Sequence, residues 1–173
     1  LGLGEGEGIL EVVEISRPLP ARRSPAELYA LWRQPGTLPR LLAPLAEITV
    51  QSESEADWTL SGPWGTRMAW RTRITEDRPD ELIAWMAEPG AWMPHAASIR
   101  FRPAAREGGT EVMIKLQLMP PLGSVGTRAT YRFKNLPDAL VQKALRRFKS
   151  LAETGEIPTH RRAPACRNDG RDF

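Results

Sequence analysis

Few residues in this chain have the type and spacing to do chemistry. It has two histidines and one cysteine. His95 follows Trp92, Met93 and Pro94 and leads into a β-rich stretch. An imidazole titrates near pH 6.5, so His95 could anchor a ligand or move a proton in a pocket. Its place after a Pro-containing loop reads more plainly as a solvated loop histidine. His160 lies near the C-terminus. Cys166 is alone, which excludes an internal disulfide framework and a multi-cysteine zinc site. The HxxxH, HExxH and CxxC spacings are all missing, so no metal and no cofactor are expected. One histidine without a clear nucleophile makes no triad. Tyr29 reads as packing beside Trp32 on a helix. Tyr131 precedes Pro137; packing is its plainer role, and a ligand carbonyl bonded to its hydroxyl is the alternative. His95 and Tyr131 are thus the candidate catalytic residues. Asp57, Glu76 and Asp77 are carboxylates near strand ends, and Glu76 to Asp80 reads as turn chemistry.

The six Trp and five Met are the richer set. Trp58, Trp70 and Trp85 fall on predicted strands, and Trp92 and Met93 in the loop before His95. Aromatic side chains with few polar groups line most small-molecule pockets, and Met suits adaptable apolar surfaces. The plain alternative is that they fill a core.

Those residues need elements to position them. Ile9–Leu19 is β-rich and reads as the first strand. Ser24, Pro25 and Glu27 form a capping box with Pro at the first helical position, predicting a helix that runs to Arg33. Pro35-Gly36 stops it, and a second short helix covers 38–43. Period two then takes over. Strands are predicted at 46–52, 57–61, 66–77, 81–87, 96–102 and 110–119, with turn clusters between them. On the fourth strand Met68, Trp70, Thr72 and Ile74 make a dry face, and Arg67, Arg71 and Arg73 a wet one. After Pro120-Pro121 the chain turns helical. Leu140, Val141, Ala144, Leu145, Phe148 and Leu151 make one apolar stripe, and Pro137 is expected to break or restart the helix. Consecutive strands with short turns predict an antiparallel sheet. Its dry face needs a cover, and the C-terminal stripe is the element left to supply it.

Length and composition set the bounds. The 173 residues are 41% hydrophobic and 26% charged, as in ordinary globular chains with a real core. Sixteen Pro disfavour a long-helix bundle. The net charge of +3 is mild; much of it comes from the four Arg of the 158–173 segment, which reads as a disordered basic tail. Residues 1–8 read as flexible, and 9–157 as one domain. A nucleic-acid partner is not expected, because the Arg face is not interleaved with aromatics. No apolar run reaches the length of a membrane span. LGLGEGEG has no basic or apolar signal region, so a cytoplasmic protein is expected.

Several strings carry a resemblance: SPAELYALWRQPGTLPRLL at 24–42, WTLSGPWGTRMAWRTRITEDRPDELIAW at 58–85, ASIRFRPA at 97–104, GGTEVMIKLQLMPP at 108–121 and ALRRFKSLAETGEIP at 144–158. In this order they resemble the START/Bet v 1-like (SRPBCC) superfamily, in its bacterial polyketide cyclase/dehydrase branch. The resemblance implies an α+β helix-grip fold. A curved antiparallel sheet of about seven strands wraps around a long C-terminal helix, and two short helices lie between strands 1 and 2. It also implies a hydrophobic cavity between sheet and helix, holding a lipid-, sterol- or polyketide-like molecule. The segment 122–137, which usually forms the pocket entrance, departs from the family pattern. Strand parity then names the expected lining: Trp58, Leu60, Met68, Trp70, Ile83, Trp85, Ile99, Phe101 and Ile114 from the sheet, Leu140 and Phe148 from the helix, with Trp92, His95 and Tyr131 at the rim. Binding of a hydrophobic small molecule is the first expectation. A polyketide aromatase/cyclase or dehydrase using His95 or Tyr131 is the second. A protein- or membrane-interaction module using the helix and basic tail is the third.

Overall fold

The computed structural model describes residues 13–61, 65–91, 94–105, 108–118 and 127–158, with backbone alone for 13, 15 and 127–137. Trp92, Cys166, His160, the N-terminal octet and nearly all of the tail lie outside these residues, as does the Tyr131 side chain.

The chain enters as β1 (Val13–Ala21) and turns into α1 (Pro25–Arg33). The capping box forms: Ser24 Oγ accepts the Glu27 N–H, and Glu27 Oε2 accepts the Ser24 N–H at 2.9 Å. Such a cap contributes about 1 kcal/mol. The short α2 (Thr37–Leu42) follows. Then come β2 (Ala46–Val50), β3 (Glu55–Ser61), β4 (Arg67–Arg78), β5 (Leu82–Ala87), β6 (His95–Pro103) and β7 (Thr110–Leu118). All pairings are antiparallel, in the order β1-β7-β6-β5-β4-β3-β2. The last strand thus returns to the first. Gly109 marks where they meet: a Cβ there would lie 2.7 Å from the Ala21 carbonyl oxygen, so any side chain would push the ends of β1 and β7 apart.

The helix α3 (Thr127–Thr154) runs unbroken through Pro137. This corrects the expected break. Pro137 forfeits one bond, to the Phe133 carbonyl. The packing after it holds the helix in line: Val141, Ala144, Leu145, Phe148, Leu151 and Ala152 are all buried. Arg17 of β1 also reaches Asp138, 2.8 Å away, one residue past the proline. The stripe seals the inner face of the sheet, where Ile83, Ile99, Phe101, Val112 and Ile114 meet Leu28, Trp32 and Leu41 from the short helices. Arg147 ties the two helical layers together, its guanidinium donating to the Leu41 carbonyl at 2.8 Å and to that of Ala43. Among the described residues, no helix is long and apolar enough to cross a membrane.

The outer face carries a ladder of ion pairs. Arg67 meets Glu47 at 2.7 Å, Arg71 meets Asp57 at 2.7 Å, and Arg73 meets both Glu55 and Glu88 at 2.9 Å. Asp57 and Glu55 stand directly across from Arg71 and Arg73 on the neighbouring strand. The Arg71 hydrogen bond holds the Asp57 carboxyl below its ordinary range. The wet face is therefore made of charges that cancel in pairs.

Candidate ligand-binding groove

A groove of about 570 Å³ opens between the α1–α2 link (Arg33 to Leu38), the β2–β3 hairpin (Val50 to Ala56) and the inner face of β3, β4 and β5. Strand register builds its floor. Trp58 lies opposite Trp70, Ala56 opposite Thr72, and Ile74 opposite Trp85, so all point to the same side. Residues paired across an antiparallel ladder share a face. Trp32 enters from α1. Its indole lies 6.1 Å from Trp85 and meets Phe148 edge-on at 5.2 Å. The groove walls are thus the indoles of Trp32, Trp58 and Trp85 with Leu38, Ile74 and Ile83. Gln34, Gln51, Ser52, Glu53 and Ser54 make the polar mouth.

Arg33 fastens that mouth. Its Nη1 donates to the Glu53 carbonyl at 3.0 Å, and its Nε lies 3.5 Å from Asp77 Oδ2. Asp77 reaches this side because of a bulge in β4. Ile74 pairs with Trp85, but Glu76 pairs with Ala84 and Asp77 with Ile83, so the parity of the strand reverses. The inward Asp77 also accepts the Tyr29 hydroxyl hydrogen bond at 2.5 Å. Burial, followed by that bond to a carboxylate, pushes the Tyr29 phenol above its ordinary pKa. Tyr29 therefore bridges α1 to β4, packing edge-on against Phe101 at 6.3 Å within the core cluster that also holds Trp32. Asp77 lies in β4 and anchors α1, so the turn read over Glu76 to Asp80 is confined to its C-terminal part, where the Glu81 N–H donates to the Arg78 carbonyl at 3.1 Å.

The residues named from the sequence divide into three sets. Trp58, Ile83 and Trp85 line the groove. Leu60, Met68, Trp70 and His95 continue the inner wall past Trp58, outside the groove. Ile99, Phe101, Ile114 and Phe148 are packed in the core, and Leu140 is half-buried on α3. Of the α3 residues whose side chains are described, 138–154, none lines the groove. Beside the groove Trp32 packs edge-on against Phe148 of α3. His95 is also corrected. It is the first residue of β6, only 9% exposed, and perpendicular to Trp70 at 5.9 Å, so it is no solvated loop residue. Sequence reasoning missed Trp32, Arg33, Leu38 and the β2–β3 hairpin. Trp32, one turn after Leu28, carried a signal for burial but none for a groove. The hairpin carried none. Among the described residues, no group of three His, Cys, Asp or Glu is placed to hold a metal ion.

A seven-stranded antiparallel sheet gripping one long C-terminal helix, with an aromatic-walled groove beside the short helices, defines a helix-grip protein of the SRPBCC/Bet v 1-like superfamily. The family pattern described as "Polyketide cyclase / dehydrase and lipid transport" matches residues 22–149, and the chain belongs to that family. Among solved structures it is similar to DR_A0006 from Deinococcus radiodurans. That likeness has 28% identity and a TM-score of 0.66, covering 83% of this chain and 99% of the other. It is also similar to the di-domain ARO/CYC StfQ from the steffimycin biosynthetic pathway, with 20% identity and a TM-score of 0.64, over 82% of this chain and 51% of StfQ. Ara h 8.0201 shares the fold at 11% identity and a TM-score of 0.55, over 80% of this chain and 99% of that one. No curated protein matches.

Proposed function

We propose that the groove binds a hydrophobic small molecule, with a lipid-, sterol- or polyketide-like body against the indoles and a polar end at the mouth. One observation carries this reading: a groove of about 570 Å³ with three indoles on its walls and amides and hydroxyls at its opening. That volume falls in the usual range for small-molecule sites. Family membership supports the same reading. Native mass spectrometry beside the denatured mass is the test. The expected result is extra mass of a few hundred daltons (roughly the size that such a pocket encloses), lost on denaturation. A bare protein mass, together with no thermal stabilisation by apolar ligands of several sizes, would overturn it, since a ligand of the native state must raise stability.

Cyclisation or dehydration is the second reading. It is favoured by His95, an imidazole buried on the inner wall with its ring perpendicular to Trp70 at 5.9 Å. On a poly-β-keto substrate, His95→Ala should lower turnover by about 100-fold or more. Turnover untouched by that substitution would exclude His95 as the acid or base.

A further inference from the structure

We propose that the indole N–H of Trp70 is a donor reserved for a ligand oxygen, and that it selects flat guests carrying a neutral carbonyl at their inner end. The proposal rests on the groove reading above and adds the chemistry of the guest. Trp58 and Trp70 face each other across β3 and β4 and stack at 6.0 Å, with 15° between their planes. Their N–H groups have different fates. Trp58 Nε1 donates to Thr72 Oγ1 at 2.8 Å. Trp70 Nε1 is shut off from solvent and has no acceptor among the described residues. A buried donor left unmet is rare and costly, and calls for an explanation in a native structure.

Position supplies one. Trp58 lines the groove, and Trp70, stacked on it, is the next ring along the same inner face. A guest that pushes the Trp58 ring aside reaches Trp70 at the inner end, with the His95 ring flanking it at 5.9 Å. The new hydrogen bond displaces no earlier partner of that N–H. The guest oxygen should be neutral. Arg67, Arg71 and Arg73 of the same strand lie on the outer face, where carboxylates already hold them. A carboxylate at the inner end would meet none of them.

9-Fluorenone and fluorene test this directly, because they differ only in a C=O replacing a CH₂. Calorimetric titration of the full chain should show fluorenone bound about fivefold more tightly. In Trp70→Phe that preference should vanish, the two probes then binding alike. In Trp58→Phe, which removes the N–H already satisfied by Thr72, the preference should remain. The indole ¹⁵N–¹H resonance of Trp70 should move downfield with fluorenone and not with fluorene, a readout that needs no variant to fold. Equal affinity for both probes in the unaltered protein, or a preference that survives Trp70→Phe, would overturn the inference and leave the groove reading standing. Failure to bind fluorene at all would remove the groove reading and this inference with it.

Discussion

Phe148→Ala should cost the fold about 3–5 kcal/mol, read as a lower urea midpoint with an unchanged slope. Phe148 is fully buried. It lies in the stripe by which α3 seals the sheet, and its ring is the edge against which Trp32 rests at 5.2 Å. Truncation removes the transfer energy of the ring and leaves a void that the curled sheet cannot close, since Ile83 and Ile99 are held by strand pairing on both sides. The void would open directly behind Trp32, a groove wall. The same variant should therefore admit bulkier guests than the unaltered protein, even as it unfolds more readily. A loss below about 1 kcal/mol would mean that α3 does not hold this face, and the account of the core would fail.

Ile74→Asp should weaken fluorene binding by about 100-fold or more while lowering the thermal midpoint only slightly. Ile74 is half-buried on the groove wall, opposite Trp85. In the free protein an introduced carboxylate there stays in contact with the water that fills the open groove. Under an apolar guest it loses that water, and the cation among the groove's described residues, Arg33, is already engaged by Asp77. The penalty thus falls on the complex and not on the fold, which separates the two roles of the inner wall. Unchanged fluorene affinity in a folded Ile74→Asp protein would place the guest elsewhere.

How far the sequence was legible follows from which signals are local. The alternation of Met68, Trp70, Thr72 and Ile74 against Arg67, Arg71 and Arg73 separates the two faces of β4, and the capping box at Ser24 marks α1. Both are set by neighbours along the chain. The bulge after Ile74 leaves no mark in composition, yet it reverses the parity of β4 and turns Asp77 inward to Tyr29 and Arg33. Pro94 suggested a loop for His95, whereas pairing with Leu118 of β7 draws that residue into the sheet. Pro137 suggested a break, and the buried stripe after it overrides the local preference. Parity also says which side chains face inward, but not how far along that face α3 lies. That distance, set by Trp32 meeting Phe148, decides which inward residues are core and which are groove. Family resemblance carried the overall architecture, and the position of the groove had to come from the structure.

The outer wall of the groove is the β2–β3 hairpin, and β2 is the last strand of the sheet, paired on one side only among the described residues. Its five residue pairs with β3, the Arg33 bond to the Glu53 carbonyl, the Ile74 N–H bond to the Ser54 carbonyl and the packing of Ile48 with Leu42 and Ala144 keep the mouth at its observed width. Edge hairpins open at a fraction of the free energy needed to unfold a whole domain. The volume of the groove is thus a mean and not a limit. Which guests are admitted depends on the work of spreading an edge strand paired on one side, so size selection should be graded, falling off smoothly with girth rather than stopping at a wall.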